Sequence, residues 1–297
     1  MIDRRTFIQQ AGGFAASVGA GFSRPLLQQR PRYKMGLQLY TMRAAMARDV
    51  EGTLKRIAAL GYEEVETYGF DPGGIGYYKL PAKTFAQMLR DNNMTTPSGH
   101  YDLNRFAGTS VDELKKYMES CIEGAHVLGQ AYITWPFVDE DFRTIDKFKI
   151  IAERLNVAGE MAKKAKLLVA YHNHDFEFVD QNGQIGYDVI LKETDPALVK
   201  LQIDLYWIAH GSKLTPHEWF KRQPGRYVMW HVKDMHKVSR DYTELGNGSI
   251  DFTKIFPDAK LAGLQHYFVE QGSNFAKDPF QSITDGAEYM KRYPLLK

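Results

Sequence analysis

From residue 34 onward, short apolar runs alternate with longer stretches in which apolar residues recur every three to four positions. The runs MGLQLYT (35–41), YEEVETYG (62–69), MTTPSGHY (94–101), QAYITWP (130–136), KLLVAYHNH (166–174), VKLQIDLYW (199–207), RYVMWHVKD (226–234) and LQHYFVEQG (264–272) have the length and content of buried strands. Helical patterning fills the intervals. It covers 49–61, closing on Gly61, and 81–93, with proline in the first turn. It continues over 109–129, where Ser110 and Glu113 have capping-box spacing, and over 144–165. Shorter or broken helices are predicted at 187–194, 215–225 and 251–263, and a last one at 278–293.

Eight strand-then-helix units predict an α/β fold with a parallel sheet, and at this length they fit a closed (β/α)8 TIM barrel with an outer ring of helices. An open doubly wound sheet would need a glycine-rich phosphate turn after its first strand. The turn here, YTMRAAMARD, has no glycine. The glycine-rich stretch YGFDPGGIGYYKLP follows the second strand without the dinucleotide fingerprint, and reads as a loop covering the substrate.

Composition narrows the partners. With 38 basic and 36 acidic residues, the net charge of +2 makes no electrostatic case for nucleic acid or an anionic membrane. Cys121 is the only cysteine, so neither an intramolecular disulfide nor a cysteine-based zinc site is available. The N-terminal stretch is of another kind. Arg4 and Arg5, followed by Thr6, Phe7 and Ile8, resemble a twin-arginine export signal, and the Gly/Ala-rich stretch 11–22 is too short to span a bilayer stably. Residues 1–30 are therefore expected to be export signal and linker, and 31–297 a single catalytic barrel that is periplasmic or otherwise exported. A frayed amphipathic helix with two incidental arginines is the blander reading. A homo-oligomer is compatible with the sequence.

Barrel enzymes carry their chemistry at the C-terminal strand ends. Those ends hold Glu66, His100, His172 and His174 with Glu177 just beyond, then Asp204, Trp207, His231, Lys233 and Glu270. Side chains two apart on a strand share a face, so His172 faces with His174, and His231 with Lys233. Ionisable groups aimed into a barrel mouth are costly unless paired or metal-bound. His172, Asp204, His231 and Glu270, from consecutive strands five to eight, would form an N2O2 site for one divalent ion such as manganese, zinc, cobalt or iron. Taken singly, each has a plainer role: a hydrogen-bonded core histidine, or in Asp204 a cap for the following helix.

The motifs GLQLYTMR (36–43), GYEEVE (61–66), YHNHDFEF (171–178), QIDLYW (202–207), HVKDM (231–235), ELGNGSIDF (244–252) and YFVEQ (267–271) together resemble the xylose isomerase-like TIM barrels, the sugar phosphate isomerase/epimerase superfamily. The resemblance implies one divalent ion held by Asp204, His231 and Glu270. Strand five departs from the pattern: many members have Glu-Asn-His where this chain has His172-Asn173-His174. His172 falls at the usual ligand position, although His174 or Glu177 could serve instead.

The implied activity is a metal-dependent sugar isomerase or epimerase that removes a proton next to a carbonyl. A lyase or dehydratase acting on a keto-sugar or keto-glycoside is the alternative, and a non-catalytic sugar-binding barrel is more remote. Loss of the strand-five carboxylate weakens a two-base epimerase and leaves one-base chemistry. Glu177 or His174 is the expected base, and Lys233 the electrophile or acid. Glu66 and His100 are expected to bind sugar hydroxyls, and Trp207 to stack on the ring. LGNGS (245–249) is the only candidate anion nest, which favours a carbohydrate without phosphate.

Overall fold

The computed structural model describes residues 33–293, so the expected export signal lies outside the described residues. Eight parallel strands close into a barrel: β1 (Met35–Gln38), β2 (Glu64–Thr67), β3 (Thr95–His100), β4 (Tyr132–Trp135), β5 (Leu168–His172), β6 (Val199–Asp204), β7 (Met229–Val232) and β8 (His266–Val269). They follow one another in chain order around the ring, and β1 closes it by pairing with β8. Closure needs a close approach there. A Cβ on Gly36 would lie 2.3 Å from the Tyr267 carbonyl oxygen, so only glycine fits.

Strand alternation builds two cores. One set of side chains, including Leu37, Val65, Ile133, Val169, Leu201, Ile203 and Trp230, packs outward against the helices. The other set fills the barrel interior. Tyr132, Ala170, Met229 and Phe268 form a small apolar plug, and Gln38, Glu66, Ser98, Gln202 and His231 form a polar layer joined by hydrogen bonds. The outer ring follows the sequence signals closely. The Ser110–Glu113 capping box opens the helix Val111–Leu128, and Gly129, at φ 71°, closes it.

Two expectations are revised. The run 199–207 is not one strand: β6 stops at Asp204 and residues Leu205–Gly211 are helical. The cause is Asp204 itself, whose Oδ1 accepts from the backbone N–H groups of Tyr206 and Trp207 and caps the new helix. The glycine-rich stretch after β2 is a small three-stranded antiparallel sheet, Phe70–Asp71, Gly76–Tyr77 and Leu80–Pro81, and Tyr68, Gly69 and Phe70 line the barrel mouth. Among the described residues no helix is long and apolar enough to cross a membrane.

Candidate active site and metal centre

The C-terminal strand ends enclose a cavity of about 550 Å³, in the size range of small-molecule sites. Its lining includes His100, His172, His174, Lys233 and Glu270, together with Tyr40, Tyr68, Phe70, Phe137 and Tyr242. Barrel closure brings three of the four proposed ligands into one group and sets His172 beside Asp204. Asp204, His231 and Glu270 each place a ligand atom within 4.8 Å of the others, and His172 Nε2 lies 3.6 Å from Asp204 Oδ2. Two ligands of one ion at ~2.1 Å stand at most ~4.2 Å apart, so gripping an ion needs only small side-chain shifts. His100, His172 and His231 form a second such grouping, which shares His231.

The surroundings of His231 fit a ligand role. Its Nε2–H donates to Glu66 Oε2 (2.6 Å), which fixes the ring and turns Nδ1 toward Glu270 (2.6 Å). Burial alone would lower the His231 pKa, but Glu66 and Glu270 outweigh it and raise it to about 9. Glu66 is itself saturated, taking hydrogen bonds from Gln38 (2.7 Å), Ser98 (2.6 Å) and Gln202 (2.6 Å), with His100 Nε2 at 3.1 Å. It lies under His231 and does not line the cavity. The expectation that Glu66 binds sugar hydroxyls is therefore corrected: its oxygens are already taken, and it holds the ligand above it. His100 does line the cavity, with Nε2 tied to Gln202 Oε1 (2.8 Å).

Lys233 sits between two carboxylates, 2.7 Å from Asp204 Oδ2 and 2.8 Å from Glu270 Oε2. Burial would lower its pKa. The two anions overcome that and push it up, so the ammonium keeps its proton. Lys233 is thus a fixed positive charge and hydrogen-bond donor, and a poor acid. In return Glu270 is held well below the usual carboxylate range by Lys233 and His231, despite its burial. Asp204 caps the new helix through Oδ1 and turns Oδ2 toward the Lys233 ammonium.

His172 and His174 are kept neutral. Burial is the main cause for both, reinforced by the charge of His231 beside His172 and of Lys233 beside His174. The Nδ1 atom of each is buried without a hydrogen-bond partner. A neutral imidazole offers the lone pair that a metal ligand or a general base requires. The donor set of two carboxylates and two imidazoles, with His172 Nε2 3.6 Å from Asp204 Oδ2, therefore fits a divalent ion.

Two further expectations are corrected. Trp207 is absent from the cavity lining; it lies in the first turn of the new helix and backs His174, with ring centroids 5.2 Å apart. Glu177 is also absent from the lining. Tyr171, on the opposite face of β5 from His172, draws it under the strand: its hydroxyl donates to Glu177 Oε1 (2.7 Å), and the His174 N–H donates to Oε2 (2.9 Å). Glu177 holds the His174 backbone in place and is not open to substrate as a base.

Burial raises the Glu177 pKa to about 8, and the bonds from Tyr171 and the backbone offset only part of the rise. The unfolded carboxyl ionises near ~4.3, so this group's stabilisation is complete below that pH. It is lost at ~1.4 kcal/mol per pH unit as pH rises toward about 8, and is constant above. In Glu177→Gln, the amide oxygen accepts from His174 N–H and the amide N–H donates to the Tyr171 oxygen. Urea unfolding at pH 5 and pH 8 should show a much smaller loss of stability in the variant than in wild type. An equal loss in both would place the ionisation elsewhere.

Sequence reading passed over Gln38, Ser98, Gln202 and Tyr242. Period-two parity marks Gln202 from Asp204 and Ser98 from His100 as inward, one step below the mouth, whereas β1 carries no ionisable site residue to mark Gln38. LGNGS is no phosphate site, because the Asp234 carboxylate fills it, with Oδ2 accepting from Gly246 N–H (2.9 Å) and Gly248 N–H (3.0 Å).

A parallel barrel whose strand ends converge on carboxylates and imidazoles defines a TIM-barrel enzyme. The chain belongs to the xylose isomerase-like TIM barrel family, whose model matches residues 54–293. An inosose dehydratase from Clostridium perfringens is 28% identical over 166 residues, 49% of this chain and 54% of that protein. The chain thus spans about half the length of the curated relatives it matches. A solved sugar phosphate isomerase/epimerase from Parabacteroides distasonis is 26% identical, with TM-score 0.79, over 91% of this chain and 97% of that one. An IOLI protein solved with a bound zinc atom is 15% identical (TM-score 0.68, 87% of this chain and 97% of that one), a likeness of fold.

Proposed function

We propose that this protein is a lyase that eliminates a β-substituent, such as water, from a keto-sugar or keto-polyol without phosphate, with one divalent ion held by His172, Asp204, His231 and Glu270. The observation that carries this reading is strand five. Where a two-base epimerase needs a carboxylate, this chain presents two neutral imidazoles, both on residues that line the cavity. The curated relatives described as inosose dehydratases support elimination better than the isomerisation expected first.

When bound, the ion supplies Lewis-acid polarisation of the substrate carbonyl. The chain's own groups do the rest. The neutral His174 imidazole takes the proton from the carbon next to the carbonyl. The electron pair moves toward the carbonyl oxygen, and the Lys233 ammonium stabilises the negative charge gathering there. As the pair returns, the β C–O bond breaks, and the proton on His174 passes to the departing oxygen to release water. One base on one face is enough. The cavity lining supports a neutral substrate: among the described residues its only lysine or arginine is Lys233, already shared by two carboxylates.

The description of the Parabacteroides distasonis structure favours a second reading, an aldose–ketose isomerase using the same proton abstraction. One experiment separates them. Metal-loaded enzyme is incubated with a panel of keto-polyols and keto-sugars in deuterated water and followed by NMR. Loss of a β-substituent is the expected result. Deuterium uptake with every substituent retained would favour the isomerase, and no exchange on any panel member would remove both readings.

A further inference from the structure

Asp234 lies one residue beyond Lys233 and is buried, at 2% exposure. A buried carboxylate is costly unless its lone pairs are met. Among the described residues no lysine, arginine or histidine pairs with it; its partners are backbone N–H groups. Oδ1 accepts from Met235 (2.8 Å) and Ile250 (3.2 Å), and Oδ2 from Gly246 (2.9 Å) and Gly248 (3.0 Å). The loop is shaped to this carboxylate. A Cβ on Gly248 would lie 2.0 Å from Asp234 Oδ1, and Gly246 holds a left-handed φ of 94°.

What the clasped loop touches gives the arrangement its meaning. Tyr242–Thr243 pairs antiparallel with Asp234–Met235, and this places the Tyr242 ring on the cavity wall, 5.9 Å from Lys233 Nζ. Ser249 N–H closes the loop onto the Met235 carbonyl (2.8 Å). Glu244 Oε1 accepts from Ala276 N–H (2.7 Å) and so ties the loop to the segment after β8. That segment begins with Glu270 and Gly272, both in the cavity lining, and Gly272 packs so closely that a Cβ there would lie 3.1 Å from the Tyr242 ring.

We propose that Asp234 is a positioning residue: its carboxylate acts as an internal anion in the fold's own nest, and by clasping residues 244–250 it sets the wall formed by Tyr242 and the β8 segment against the Lys233 ammonium. The catalytic consequence rests on the role proposed above for Lys233. The clasp itself does not. It also accounts for the failure of the glycine-rich loop to serve as a phosphate site, since the nest is already full.

Asp234→Ala leaves backbone donors converging on a hole the size of a small carboxylate. The variant is expected to keep its circular dichroism spectrum and to lose about 10–100-fold in kcat with little change in KM, the loss typical of outer-shell partners. Sodium formate should restore kcat saturably, and neutral formamide should not. Hydrogen exchange of peptides spanning 242–250 should quicken in Asp234→Ala and slow again with formate. A folded Asp234→Ala with wild-type kcat, or a loss that formate leaves untouched, would overturn the proposal; so would unchanged exchange over 242–250. If Asp234→Ala does not fold, Asp234→Asn is read in its place, since it keeps one acceptor oxygen but turns an amide N–H toward backbone donors. It should show lowered kcat and faster exchange in this loop, and wild-type values of both would count against the clasp. If wild type proves inactive on every substrate tried, the lyase reading fails while the exchange measurements still decide the role of Asp234.

Discussion

Asp204→Asn is expected to lower turnover by ~100-fold or more and to strip bound divalent metal, while the barrel remains folded. Asparagine keeps an oxygen where Oδ1 caps Leu205–Gly211, so the cap, worth ~1 kcal/mol, survives. At the other oxygen it places an N–H against the Lys233 ammonium, where a carboxylate now lies 2.7 Å away. The site loses a charged ligand, and the buried lysine keeps only Glu270. Asp204→Ala would remove the cap as well, and a buried charge pair broken on one side costs ~3–5 kcal/mol. Comparing the two variants separates the two oxygens of one residue. Metal content after dialysis, thermal melting and turnover are the measurements. Full activity with retained metal in Asp204→Asn would refute the site.

The second large effect concerns His174. His174→Phe preserves the flat ring stacked on Phe176, with centroids 5.3 Å apart and planes within 8°, but removes both ring nitrogens. Loss of a general base costs ~10²–10⁴ in rate, so kcat should fall by that range with metal content unchanged. A His172 variant should instead lose metal, and the contrast assigns the two histidines. The pH profile carries the same information. His174 is held well below the ordinary histidine pKa of ~6.5 by burial and by Lys233, so its base form is complete at neutrality. Wild-type rate should be flat from ~pH 6.5 upward in this limb and fall only in acid. A His174→Phe enzyme with wild-type turnover would move the base elsewhere.

The parts of this site legible in the sequence are those set by local periodicity. Strand alternation put His172 with His174, and His231 with Lys233, on single faces, and the structure sets His172, His174 and Lys233 in the cavity lining with His231 buried against Glu270. The errors have a common origin. Trp207 was expected at a strand end, yet Asp204 is a strong N-cap and turned the chain into a helix first. Glu177 was expected at the mouth, but the tyrosine on the outer face of β5 captured it. Glu66 lies inside the barrel as parity requires, one layer too deep to meet a sugar, because its partners exhaust its oxygens.

The sequence alone determined the alternating strands and helices and the faces on which the ionisable residues lie. Each follows from propensity and period over a few neighbouring residues. Tertiary structure alone decided which of those residues are charged, which are spent on one another and which remain free. Glu66 and His231 stand 165 positions apart and meet only because the barrel closes. Once they meet, burial strengthens every charge interaction and penalises every unpaired one, so the protonation of the site belongs to the closed ring rather than to any stretch of chain.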